Sequence, residues 1–228
     1  MRQWTHDITG FFFPRYCPVC GMPMHIPGEV ICLPCELKMP RTNYARDPDN
    51  PVAQLFWGRI MVEGATSLFR FEKGSRYQPL LHLLKYKGQK NIGTFLGRML
   101  GADLHETPFC RADFIIPVPL HRKKEKIRGF NQSEIIAKGV SDVTGMSLNS
   151  TLLFRRSNTD SQTRKNRFER WENMAEMFYL HENEGVVSEP TLLLIDDVVT
   201  TGSTLEACAL ALSSIPGVKL FVATVACA

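Results

Sequence analysis

Runs of apolar residues bounded by turn-formers divide this chain into elements. Residues 191–195, directly after Pro190, are apolar or β-favouring on both faces, which predicts a short buried parallel strand. Asp196 and Asp197 stand at its carboxyl end, followed by a turn of small residues and an Ala/Leu-rich helix to Leu212. Ser203 and Glu206 have capping-box spacing, so the helix is expected to start at or near Ser203. Residues 113–119 predict a second parallel strand, ended by prolines, and a helix from Glu134 to about Val140. Residues 175–180 and 218–225 read as further strands. Apolar positions at helical spacing predict helices over 77–86 and from about 91 to 104, the latter with Phe95, Leu96, Met99 and Leu100 on one face. His82 on the first of these is expected to be a partly buried, satisfied histidine. Residues 57–71 alternate loosely around Gly58 and Gly64 and predict an antiparallel hairpin. The fold class is α/β, a central, mostly parallel sheet flanked by helices.

A chain of 228 residues accommodates one such domain and a small accessory unit. Hydrophobic content of 44% against 22% charged residues excludes a disordered chain. The net charge of +4 is mild, but the basic residues are clustered. No apolar run approaches the ~18 residues of a membrane span. The three phenylalanines at 11–13 are too short for a signal-peptide core, so a cytoplasmic location is expected.

Four of the seven cysteines form two C-x2-C pairs, Cys17/Cys20 and Cys32/Cys35. Each pair presents two thiolates to one tetrahedral centre, and the short gap between pairs closes a two-knuckle ribbon around Zn²⁺. Two disulfides or reduced buried thiols are the alternative; a reducing cytoplasm argues against disulfides. Four protein ligands leave no open position, so the zinc would be structural. His25 is then a surface residue. The polar, proline-containing stretch 41–51 reads as the linker out of this unit, giving domains of 1–50 and 51–228.

The turn after the last strand reads Val198, Val199, Thr200, Thr201, Gly202, Ser203, Thr204. A helix amino terminus offers unpaired N–H groups and about half a positive charge to an anion. The hydroxyls add neutral hydrogen-bonding groups around a phosphate, and Gly202 lets the backbone approach closely. Asp196 and Asp197 are placed to accept from a sugar diol or approach a metal-bound sugar. The glycine and lysine spacing of the nucleoside-triphosphate loop is absent. Residues 121–128, including His121, Lys124 and Arg128, form a basic loop just beyond the strand at 113–119, where ligands of open α/β sheets bind; such a loop is suited to pyrophosphate. Residues 155–173 are polar and basic, as expected of a flap that closes over a site.

The strand, two acids, aliphatic pair and T-T-G-x-T turn resemble the phosphoribosyl-pyrophosphate (PRPP) signature of type I phosphoribosyltransferases. Pro117 to Gln132, the four-cysteine ribbon and Lys85-Tyr86-Lys87-Gly88 resemble the competence protein F family, the zinc-ribbon branch of those proteins. This resemblance implies a type I phosphoribosyltransferase fold. It implies that Asp196 and Asp197 bind the ribose 2′- and 3′-hydroxyls and that the 200–204 turn cradles the 5′-phosphate. In many relatives an acid of this pair is also assigned a base role. Gln162, Thr163, Arg170 and Asn173 match the family's flexible loop, with Arg164 and Lys165 departing from it by being more cationic.

The expected function is Mg²⁺-dependent phosphoribosyl transfer with pyrophosphate release. Asp196 and Asp197 would orient the ribose, and the basic loop and Arg170 would stabilise the leaving group. The resemblance associates this with natural competence, incoming single-stranded DNA and the competence machinery. The alternatives are a non-catalytic PRPP-binding protein, a single-stranded DNA or partner-binding module on the same fold, and a PRPP-sensing regulator.

Overall fold

The computed structural model describes residues 15–156, 177–181 and 189–228. At the amino terminus, β1 (Arg15–Tyr16), β2 (Pro23–Met24) and the short helix α1 (Leu33–Leu37) frame the paired cysteines. Then come α2 (Pro51–Gln54), β3 (Gly64–Arg70), α3 (Gln78–Tyr86), α4 (Lys90–Leu104), β4 (Phe114–Pro117), α5 (Arg122–Arg128) and α6 (Gln132–Thr144). The rest is β5 (Ser147–Leu148), β6 (Leu153–Arg155), β7 (Phe178–Leu180), β8 (Thr191–Val199), α7 (Ser203–Leu212) and β9 (Lys219–Cys227).

Five strands make one parallel sheet in the order β3-β9-β8-β4-β5. The expected α/β architecture, a central parallel sheet flanked by helices, is present. β8 is central because it is apolar on both faces. Leu192 and Leu194 pack with residues of α2 and α7, while Leu193 and Ile195 pack with α3, α4 and α6. All four are fully buried. At about 2 kcal/mol each they contribute on the order of 8 kcal/mol, an upper estimate. On the second face α4 and α6 cross so closely that only glycine fits. A Cβ on Gly97 would lie 2.2 Å from the Ile136 carbonyl oxygen, and one on Gly139 2.4 Å from that of Thr94.

The structure departs from the sequence expectations in several places. Residues 57–71 hold one strand and no hairpin; β3 pairs in parallel with β9, at the far end of the chain, which local alternation does not report. The strand at 191–195 continues through Val199, so both acids are strand residues. The 41–51 stretch is packed against β3: Arg41 bridges Phe69, and buried Asn50 donates to the Asp47 and Ala65 carbonyls. The Asn50 Oδ1 also accepts from the N–H groups of Val52 and Ala53, starting α2. Residues 122–128 form a helix instead of a loop, capped by His121 and closed by Gly129 at φ 77°. No residue of that helix is buried, so no apolar periodicity announced it. His82 is exposed, its ring 4.9 Å from that of Tyr86.

Cys208 is buried, and Cys110 and Cys227 are half-buried. β6 pairs antiparallel with β7, so Arg155, the first residue of the segment 155–173 expected to be a flap, stands opposite Phe178, which follows that segment. Gln162, Thr163, Arg170 and Asn173 lie outside the described residues. No helix among the described residues is long and apolar enough to cross a membrane.

Candidate functional site

Parallel strands end on one edge, and the chain places its polar chemistry there. After β8 the backbone turns through Thr200, Thr201 and Gly202 into α7. Gly202 adopts φ 76°, a conformation that favours glycine, and a Cβ there would press on the Phe56 ring at 3.1 Å. The helix begins at Ser203 as expected, but the capping box does not form: no side chain caps the first turn. The N–H of Glu206 donates to the Gly202 carbonyl at 2.8 Å, and the Thr201 and Ser203 hydroxyls stand 2.9 Å apart. Asp196 and every residue from 198 to 205 line one concave pocket. An uncapped helix terminus ringed by hydroxyls is chemically an anion site.

The two acids have different surroundings, as side-chain alternation along a strand requires. Asp196 reaches the pocket. Its Oδ1 accepts from the Ser133 hydroxyl and from the Asp197 N–H, both at 2.8 Å. Burial, and then the neighbouring Asp197 charge, push its carboxyl up to about 7. Asp197 is not among the pocket-lining residues; its Oδ2 is 3.0 Å from Lys85 Nζ on α3. That oxygen is buried and makes no well-aligned hydrogen bond among the described residues, so the contact is a charge pairing only.

Ser133 stands in the first turn of α6. Asn131 caps that helix by accepting from the Ser133 N–H at 3.1 Å and donates to the Val118 carbonyl at 3.0 Å. The Oε1 of adjacent Gln132 is buried without a partner among the described residues. Of the basic residues singled out by sequence, His121, Lys124 and Arg128 do not line the pocket. His121 Nδ1 accepts from the Lys123 N–H at 3.1 Å; burial lowers its pKa, aided by the charges of Arg155, Lys123 and Lys124. Arg128 lies over the Tyr86 ring at 5.5 Å.

Three contributors escaped the sequence reading. Arg155, counted there only as the start of a flap, lies over the Phe178 ring at 5.4 Å, and burial pushes its pKa down against the pull of Cys208 and Asp196. Arg59 donates to the Thr201 carbonyl at 3.0 Å and pairs with Glu206, which the spacing had suggested as a capping residue. Ser133 lies 63 residues before Asp196, and no local pattern links them.

The cysteine unit is compatible with a metal centre. The Sγ atoms of Cys17, Cys20, Cys32 and Cys35 all lie within 4.8 Å of one another, Cys20 and Cys32 at 3.6 Å. Four thiolates around zinc, at about 2.3 Å each, stand roughly 3.8 Å apart, so this donor set fits the ion. Burial acts to raise the Cys17 thiol, yet the backbone at Cys32, Val19 and Cys20 brings it down to about 7. Cys32 and Cys35 are raised, by burial first and then by neighbouring thiols. Such crowding of sulfurs is relieved by a cation. The unit is tied to the core by the Tyr77 hydroxyl, which donates to the Cys35 carbonyl at 2.8 Å.

Comparison with known proteins places this arrangement. No protein-family model matches the chain. Competence protein F of Haemophilus influenzae is 26% identical over 214 residues, covering 86% of this chain and 89% of that one. DNA utilization protein YhgH of Escherichia coli O157:H7 is 30% identical over 203 residues, covering 84% of this chain and 87% of the relative. The chain belongs to the competence protein F family. Competence protein ComFC of Bacillus subtilis is a further relative, 24% identical across 90% of this chain and 72% of its own. Among solved structures, Saccharomyces cerevisiae adenine phosphoribosyltransferase is 12% identical with a TM-score of 0.36, over 65% of this chain and 73% of that one. Leishmania donovani UMP synthase is 16% identical with a TM-score of 0.35, and the match spans 24% of its length. The competence protein F chain described here combines a five-stranded parallel sheet with a clustered four-cysteine unit.

Proposed function

We propose that this protein binds PRPP at the carboxyl end of β8 and transfers its phosphoribosyl group, with release of pyrophosphate, in the cytoplasm. One observation carries the reading: Asp196, the Thr200–Thr201–Gly202 turn and the uncapped start of α7 share a single pocket. The 5′-phosphate would rest on the helix terminus and accept from the Thr200, Thr201, Ser203 and Thr204 hydroxyls. Asp196 and Asp197 would accept from the ribose diol, which supplies a donor that the buried Asp197 Oδ2 lacks.

Transfer breaks the bond from the anomeric carbon to pyrophosphate and forms one to the acceptor. Positive charge grows on the ribose, close to the two carboxylates, while the pyrophosphate leaves as an anion. His121, Lys124, Arg128 and, from the expected flap, Arg170 would be the leaving-group contacts. Asp196, titrating near neutrality, suits proton exchange with an acceptor or a ribose hydroxyl. Magnesium supplies Lewis-acid neutralisation of pyrophosphate when bound. With Asp196 hydrogen-bonded and Asp197 paired to Lys85, the donor set fits an ion brought in with the substrate. Zinc at Cys17, Cys20, Cys32 and Cys35 would be structural. On this reading residues 1–50 form the zinc unit and 51–228 the transferase-type domain.

A second reading has its own support. No residue of α5 is buried, five of its seven residues are Lys or Arg, and Tyr86 beside it is 65% exposed. Phosphate-backbone and base-stacking contacts with single-stranded DNA suit that surface, and names of relatives refer to DNA utilization and competence. Pyrophosphate release from PRPP and Mg²⁺ with a panel of nucleobases separates the two. Turnover abolished in Asp196→Asn and Asp197→Asn supports transfer. PRPP binding without release, beside salt-sensitive DNA binding indifferent to those substitutions, would favour the second.

A further inference from the structure

The end of α7 that offers its N–H groups to the pocket also carries an acid that opposes an anion. Glu206 lies in the first turn, its side chain only 6% exposed. A negative charge buried there cancels the helix-end field on which phosphate binding depends. Arg59, from the turn after α2, meets that carboxylate through Nη2. Its Nη1 donates to the Thr201 carbonyl at 3.0 Å and to the Leu55 carbonyl at 3.1 Å. One guanidinium therefore touches both the acid and the turn. Phe56, three residues earlier, packs beneath Gly202, so the same short segment supports the turn by contact and by charge.

We propose that Arg59 is a positioning residue of the anion site. It neutralises Glu206 and holds the Thr201 carbonyl, leaving the N–H groups of the turn and first helical residues to the phosphate monoester of a phosphorylated sugar. The inference rests on the PRPP-site reading and adds to it a residue with no ligand contact of its own. Substrate affinity at this site then depends on a charge pair beneath the turn, formed by side chains 147 residues apart.

The test is calorimetric titration of ribose 5-phosphate into the full chain at fixed pH and ionic strength, each variant first checked for an unchanged thermal melt. Arg59→Gln is expected to weaken binding on the order of tenfold, the effect of one uncompensated charge within roughly 10 Å at an effective dielectric near 20. Arg59→Gln/Glu206→Gln is expected to bind within about threefold of the parent, and so is Arg59→Lys. A merely structural Arg59 predicts the reverse, since the double variant lacks the pair altogether. Parental affinity in a folded Arg59→Gln protein, or a double variant no better than the single, would overturn the proposal while leaving the PRPP reading intact. Should Arg59→Gln fail to fold, Glu206→Gln alone decides: tighter binding supports the inference, and equal or weaker binding overturns it. No binding of ribose 5-phosphate or PRPP by the parent would overturn both.

Discussion

Asp196 shows how one residue's surroundings set its chemistry. Its carboxyl, raised to about 7 by burial and by Asp197, keeps a proton in the folded protein that an unfolded chain releases near pH 4. The folded state therefore binds more protons between those values, and this group's contribution is greatest in acid and declines as pH rises through about 7. Asp196→Asn, which carries no charge, is expected to melt above the parent at pH 8, with the difference shrinking toward pH 5. Thermal melts at both pH values check this; a difference independent of pH would contradict the assignment. Asp196 and the threonine-rich turn were legible in the sequence because strand, acids, turn and helix are contiguous. Ser133, Arg59 and the pairing of Lys85 with Asp197 were not, since each joins residues far apart in the chain. Glu206 was misread for the same reason: its spacing from Ser203 is local, but its partner is not.

Among the elements, those with strong internal periodicity were read correctly. β4, β8 and β9, and helices α3, α4, α6 and α7, lie where apolar pattern and turn residues placed them. Elements whose identity depends on a remote partner, or that bury nothing, were misread. β3 has the alternation of a hairpin strand but finds its partner in β9. α5 has no buried face and looked like a basic loop. The α4–α6 crossing that backs the site was also invisible, because helix glycines show their purpose only when the neighbour is present. Gly97→Ala sets a methyl against the Ile136 carbonyl, which is backbone and cannot swing aside. The expected cost is about 2–3 kcal/mol, or a melting temperature lower by roughly 4–12 °C for a chain of this size. Differential scanning calorimetry checks it; an unchanged melt would mean that the two helices separate freely.

At the scale of the molecule, the parallel sheet gathers the carboxyl ends of β4 and β8 on one edge. Helices α3 and α6 bring Lys85 and Ser133 to the acids of β8. The segment 50–60, which begins where the predicted linker 41–51 ends, braces the Thr200–Gly202 turn through Phe56 and Arg59. The cysteine unit stands on the same core through Cys17, Ile31, Cys35 and Met39, so a metal held there would couple its loading to domain stability. This chain of the competence protein F family carries these parts together, and the proposed PRPP pocket lies at the end of β8. Isothermal titration of PRPP with Mg²⁺ into the zinc-loaded protein tests that proposal most directly. Saturable one-site binding that disappears in Asp196→Asn/Asp197→Asn is the expected result; no heat above dilution from the folded parent protein would contradict it.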